Sequence, residues 1–261
     1  MDFILYATSG AFVGLIIGMT GVGGGSLMTP LLILFGIPYN VAIGTDLLYA
    51  SITKSSGVIA HARRKSVQWD LVMCLAAGSI PASIITVVFL SQVFTNSADY
   101  EPLLTTSLGV MLVVTALVIL FNRFLRNVSE KPSGPICDFF QGHTKKITFI
   151  VGIVLGIFVT LSSVGAGAFC AALLMLLYPK LPALHVIGTD IAHAVPLTLI
   201  AGLSHLFLLG NVDLVLLASL LVGSLPAIHL GTKLAARIPS HILQPILATI
   251  LLGIGLKFIV F

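Results

Sequence analysis

The sequence predicts an all-α polytopic membrane protein made of two inverted-topology repeats, and three observations carry that expectation. Of its 261 residues, 57% are hydrophobic and only 8% charged, where a soluble domain carries roughly 25% charged residues. Apolar runs near the ~20-residue length that crosses a bilayer core recur from end to end. A series of short motifs in the first half returns, in the same order, in the second.

The apolar segments lie at about 3–21, 22–37, 41–61, 69–91, 102–125, 146–164, 165–179, 185–209, 213–232 and 241–261. In each set of five, a glycine-rich turn joins the first two segments and the second is short. Each such pair reads as a broken helical hairpin opening its half, which leaves about eight membrane elements once each hairpin is counted once. The organisation expected is a first membrane repeat over 1–125, a polar linker over 126–145 with Pro132, Gly134 and Pro135, and a second repeat over 146–261. Met1-Asp2-Phe3-Ile4 has no basic stretch before its apolar run, so it reads as the start of a membrane segment rather than a cleaved signal.

The basic residues set an orientation. Arg63, Arg64 and Lys65 lie between the third and fourth segments; Arg123, Arg126, Lys131, Lys145 and Lys146 flank the linker; Lys180, Lys233 and Arg237 follow later segments. The loops at 92–101 and 209–213 hold no Lys or Arg, only Asp99, Glu101 and Asp213. The positive-inside rule makes the basic loops and the 126–145 linker cytoplasmic and both termini external. The net charge of +4 is thus an orientation signal; no basic patch with interleaved aromatics points to nucleic acid. Cys74, Cys137 and Cys170 form no C-x-x-C pair, and neither a disulfide framework, a metal site nor a cofactor motif is expected.

The internal repeat rests on four matches. Gly14-Leu-Ile-Ile-Gly18 resembles Gly152-Ile-Val-Leu-Gly156, and Val22-Gly-Gly-Gly-Ser26 resembles Val164-Gly-Ala-Gly-Ala168. Gly44-Thr-Asp46 recurs as Gly188-Thr-Asp190, and Gly78-Ser-Ile-Pro-Ala82 as Gly223-Ser-Leu-Pro-Ala227. The offsets are 138, 142, 144 and 145. An odd number of crossings per half turns the second half upside down relative to the first. Inverted repeats with broken elements in corresponding positions are a transporter signature, and the site is expected where the breaks meet.

Several residues there can carry chemistry. Gly21-Val-Gly23-Gly24-Gly25-Ser26 interrupts an apolar run, and freed amides at a helix start bind anions; Thr20 and Ser26 add hydroxyls. Ser163, Gly165 and Gly167 form the second-half counterpart. The plainer reading of both breaks is close helix packing through small residues. Asp46 and Asp190 are acids inside apolar segments, hence candidates for proton coupling, or else helix caps within Gly-Thr-Asp. Thr45 and Thr189 precede them. Lys54 lies two turns beyond Asp46, about 12 Å of helix rise, where it can neutralise an anion or snorkel to the surface. His193 follows Asp190 by three residues and can share its face; His205 lies further along. Pro81 and Pro226 are expected to kink or start their helices.

Gly14-x-x-x-Gly18-Met-Thr-Gly21-Val-Gly-Gly-Gly-Ser26, followed by Gly36-Ile-Pro38 and Gly44-Thr-Asp46, resembles the TauE/SafE family of membrane permeases, also called the toluene sulfonate uptake permeases. The likeness runs over nearly the whole chain. It implies movement of a small sulfur-containing anion, sulfite or an organosulfonate, across a bacterial inner membrane. The expected partners are that anion and the lipid bilayer, with no nucleic acid; self-association into a homo-oligomer is compatible with the sequence. The expectation is therefore a secondary anion transporter, an exporter by family likeness, working by alternating access with proton coupling through Asp46, Asp190 or His193. Its substrate site would comprise Thr20, Gly23, Gly24, Gly25, Ser26, Thr45, Lys54, Ser163, Gly165, Gly167 and Thr189. The competing readings are an intramembrane aspartyl hydrolase using Asp46 and Asp190 as a dyad, and a passive anion channel.

Overall fold

A computed structural model describes residues 2–20, 25–121, 144–235 and 240–260. Its order is α1 (Asp2–Thr20), α2 (Gly25–Leu34), α3 (Tyr39–Arg63), α4 (Trp69–Val93), α5 (Ser97–Leu120), α6 (Thr144–Ser162), α7 (Ala168–Leu177), α8 (Ala183–Ser204), a π turn (His205–Leu209), α9 (Leu214–Ala235) and α10 (Ser240–Val260). No strand occurs among the described residues. Gly23, Gly24 and most of the linker lie outside them, as do the side chains of Thr20 and Ser26.

Five helical stretches among the described residues are long and apolar enough to cross a membrane: Trp69–Val93, Ser97–Leu120, Thr144–Ser162, Ala183–Leu209 and Leu214–Leu234. The chain is a polytopic helical membrane protein. The 10-residue α2 and α7 rise only about 15 Å each, half a bilayer core. They are half-helices, and α7 is reached through a break at 163–167. α3 is as long as α4 but is the most polar of the long helices, because it carries Thr45, Asp46, Lys54 and a run of serines. The expected boundaries hold to a few residues. The largest difference is at α5, which starts at Ser97 rather than 102 and carries Pro102 inside it, where the missing N–H leaves the Ala98 carbonyl without its helical donor. Pro81 and Pro226 lie inside α4 and α9 rather than at their starts.

In lipid, helices are held by close packing of small residues rather than by the hydrophobic effect, and glycines mark the contacts. A Cβ on Gly10, Gly14 or Gly18 of α1 would collide with the backbone of Leu220, Ser224 or Ile228 of α9. The numbers rise together, so α1 and α9 run parallel. Gly152 and Gly156 of α6 bear in the same way on Leu75 and Ser79 of α4. These contacts correct the sequence alignment. Leu220 and Ser224 stand 145 residues after Leu75 and Ser79, so the equivalents of Gly152 and Gly156 are Gly10 and Gly14, not Gly14 and Gly18. The offset there is 142 rather than 138, one helical turn away. The same pairing continues elsewhere. Gly44 abuts the carbonyl of Asn211, and Gly188 that of Ser66. Gly109 of α5 meets Gly255 of α10.

Candidate functional site

The second-half break is the best-described part of the site. α6 ends at Ser162, and Ser163 takes a left-handed backbone at φ 57°, an uncommon conformation for a non-glycine residue that draws attention to the segment. Gly165 follows at φ 118°, open to glycine alone. The Ser162 hydroxyl caps the turn, accepting from the Val164 amide at 3.2 Å. This leaves the Thr160 carbonyl without its helical partner, and His205 Nε2 occupies it at 3.0 Å. His205 sits at the start of the π turn rather than within α8, and π turns recur at functional sites.

Lys54 of α3 reaches this break. Its ammonium donates to the Ala166 carbonyl at 2.6 Å, a charge-assisted bond. The sequence places Lys54 beside Gly23, Gly24 and Gly25, of which Gly23 and Gly24 lie outside the described residues and Gly25 opens α2. The described bond instead ties a first-half lysine to the second-half break. Both aspartates act electrostatically on Lys54, Asp190 more strongly than Asp46.

Asp46 is fully buried and accepts a bond from Thr29 of α2 through Oδ2. Ser163 lies against it. Asp190 is set against Cys170 of α7. Each acid therefore faces the half-helix of its own repeat. Sequence reading set Cys170 aside for want of a cysteine partner, and only the fold brings it to Asp190.

Thr45 and Thr189 are engaged elsewhere. The Thr45 hydroxyl accepts from the amide of Asp213 at 3.1 Å, and the Thr189 hydroxyl from the amide of Gln68 at 3.0 Å. Each anchors the loop that starts a helix of the opposite half. His193 Nε2 meets Ser79 of α4 at 2.8 Å. Its place in the first half is taken by Tyr49, which lies against Ser224 of α9. Tyr49 was missed because its apolar ring reads as core.

A cavity of about 380 Å³ opens onto the cluster. Thr53, Lys54, Gly167 and Asp190 line its polar side, and Ile17, Ile119, Met175, Ile191 and Ile228 its apolar side. Its walls include the last turns of α3 and α5 and the first of α8 and α10, the end of the molecule that carries the basic 62–68 loop. At the opposite end, Asn40 donates to Asn211 at 2.8 Å and Asn211 to the Tyr100 hydroxyl at 2.8 Å, joining α3, α5 and the loop before α9.

Comparison with known proteins fits this arrangement. The family described as sulfite exporter TauE/SafE matches residues 6–258. The Bacillus subtilis probable membrane transporter protein YjnA is 38% identical over 250 residues, covering 96% of this chain and 97% of its own. YdhB of the same organism is 27% identical over 233 residues, covering 89% and 90%. A probable membrane transporter protein of Methanocaldococcus jannaschii is 27% identical over 269 residues, covering 95% and 91%. No solved structure matches the chain. A polytopic helical membrane protein with paired half-helices, it belongs to the TauE/SafE sulfite exporter family of membrane transporters.

Proposed function

We propose that the protein is a secondary transporter of a small sulfur-containing anion, such as sulfite or an organosulfonate, working by alternating access between two inverted halves. The observation that carries the reading is Lys54. It is a cation well inside α3, docked on the carbonyl of a broken helix and facing a cavity. A small oxyanion leaving water needs a counter-charge and several donors at once, and a helix break with a lysine supplies both. The exchanged pairing of α1 with α9 and α6 with α4 supports a two-fold relation in the membrane plane. The basic loops support a cavity open to the cytoplasm in this state, with the Asn40–Asn211–Tyr100 bonds closing the outer face.

Charge bookkeeping supports proton coupling. With Lys54 protonated and both aspartates ionised, the cluster carries a formal −1 and repels an anion. With both carboxylates protonated it carries +1. Anion and protons therefore favour each other's binding. A hydrolase is the weaker reading: an aspartyl dyad needs two carboxylates sharing a proton, and here Thr29 and Cys170 are the neighbours of the acids.

Counterflow in proteoliposomes tests the proposal, with sulfite, thiosulfate, sulfoacetate and sulfate compared side by side. A carrier gives transient uptake of labelled anion against an equilibrating gradient of unlabelled anion. Uptake that only follows the electrical potential identifies a channel, and no uptake of any of the four defeats the substrate class.

A further inference from the structure

The two acids lie on helices that start at opposite ends of the molecule. α3 starts beside the Asn40–Asn211–Tyr100 bonds and runs to the basic 62–68 loop. α8 starts against that loop, through Thr189 and Gln68, and runs to the π turn. Asp46 is the eighth residue of α3 and Asp190 the eighth of α8, so each stands about 10 Å of helix rise from a different end. Of the two, Asp190 lines the cavity and Asp46 is fully buried. Offsets of 142 for α1 to α6, 144 for α3 to α8 and 145 for α4 to α9 give each lining residue a counterpart. Ile17 maps to Val159, Thr53 to Leu197, Lys54 to Thr198, Ile187 to Ile43, Ile191 to Leu47 and Ile228 to Ser83. All six counterparts are 0% exposed. Ile43, Leu47, Val159 and Leu197 pack in one apolar cluster with Tyr100, the residue that receives the Asn211 bond. The same positions therefore border open space at one end and form a packed seal at the other.

We infer that Ile43, Leu47, Ser83, Val159, Leu197 and Thr198 line a second vestibule, which opens on the external face when the first closes, and that Asp46 on its wall exchanges protons with the outside while Asp190 exchanges them with the cytoplasm. The inference rests on the two-fold relation and alternating access of the proposed function. The two vestibules differ in charge. Lys54 lines the cytoplasmic one. Its counterpart Thr198 is neutral and turns its hydroxyl back to the Ala194 carbonyl at 2.8 Å. Asp46 faces Thr29 of α2, Ser163 of the break, and Tyr49 and Lys54 of its own helix; Asp190 faces Lys54 and Cys170. None of the six external positions is basic, and from that side Asp46 is met before Lys54, which lies about 12 Å deeper along α3. A cleft lined by one sign of charge concentrates the opposite sign. The external vestibule therefore admits protons ahead of anions, and the cytoplasmic one, with the lysine on its wall, is where the anion is recruited.

Cysteines introduced at Leu197 and Thr53 of the full-length chain test this. The unsubstituted chain gives the background of the native thiols, and Leu75→Cys, fully buried beneath Gly152, controls for loosened packing. Two impermeant methanethiosulfonates, one carrying trimethylammonium and one sulfonate, are applied to intact cells and to inside-out vesicles. Each rate is scaled to that reagent's rate with free cysteine. Leu197→Cys should react from the cell exterior and Thr53→Cys from the cytoplasmic face. The cation should modify Leu197→Cys several-fold faster than the anion does, and that preference should fade as the external pH falls and vanish with Asp46→Asn. Asn211→Ala removes the outer bonds and should speed Leu197→Cys and slow Thr53→Cys several-fold; if it does not fold, Tyr100→Phe, which removes one of the two bonds, should move both rates the same way. The vestibule is overturned if Leu197→Cys is as inert as Leu75→Cys in every background, if both test cysteines react from one face, or if both speed up together as in a continuous pore. A Leu197→Cys that reacts equally with both reagents, or keeps its preference with Asp46→Asn, overturns the placing of Asp46 there. Counterflow without external labelling removes the second vestibule alone. Opposite-face labelling without counterflow of any of the four anions removes the substrate reading alone.

Discussion

Replacing Lys54 by methionine keeps the length and apolar stem of the side chain and removes its charge. In the structure that deletes the 2.6 Å bond to Ala166 and the counter-charge facing Asp190. The effect on folding should be small. Lys54 lines a cavity, where water can take the place of its ammonium. The effect on the anion should be large. A hydrogen bond to a charged group contributes about 1.5–3 kcal/mol, and the formal charge of the ionised cluster falls from −1 to −2. A loss of about 2–3 kcal/mol raises the half-saturating concentration roughly 30- to 150-fold. Lys54→Arg should recover only part of it, because a planar fork does not fit a site built around one carbonyl. The measurement is counterflow against anion concentration in proteoliposomes, with monodisperse elution as the folding check. A Lys54→Met carrier with wild-type half-saturation would refute the lysine as the anion's counter-charge and leave the break as a packing device.

Other consequences can be checked in the same preparations. Anion binding should strengthen as pH falls, since each proton taken up by Asp46 or Asp190 makes the cluster more positive; the double Asn variant should bind with a flat pH profile. Gly14→Leu should destabilise by about 1–3 kcal/mol through overpacking against Ser224, and Gly156→Leu by a similar amount against Ser79, both read as lower unfolding midpoints. His205→Leu strips the Thr160 carbonyl of its donor and should cost about 1–3 kcal/mol, with His205→Gln, which keeps a donor, recovering most of it. Cysteine at exposed Lys65 should resist an impermeant thiol reagent in intact cells, while cysteine at exposed Asp99 should react; the reverse pattern would invert the orientation.

Much of this was legible from residue order. The broken elements announce themselves through Gly165 and Gly167, the two acids through their Gly-Thr-Asp settings, and the membrane class through composition. What stayed hidden was pairing across the halves. Gly10, Gly14 and Gly18 repeat every four residues, so a second half with Gly152 and Gly156 fits them in either of two registers, and only contact with α9 chooses. Lys54 could be assigned a depth but not a partner, because Ala166 lies 112 residues away. Thr45 and Thr189 looked like ligands because they adjoin the acids. A helix turns about 100° per residue, so neighbours in sequence face different ways, and these two hydroxyls face loops of the other half. Cys170 and Tyr49 carry no signal until folding sets them against Asp190 and Ser224.

The parallel seam between the first helix and the ninth has a consequence for how the chain is made. Gly10 waits for Leu220, a residue translated 210 positions later. At roughly 5–20 residues per second the ribosome takes about 10–40 s to deliver it, far longer than helices take to form and collapse. During that interval the nascent α1 sits in lipid with its glycine face bare, within reach of the same face on other newly inserted copies. By contrast Ser79 is already in place when Gly156 emerges 77 residues later. The hazard in biogenesis is thus unequal between the two ends of the gene. Mutations along the α1 seam should be felt first as misassembly and degradation during synthesis, before they are felt as altered transport.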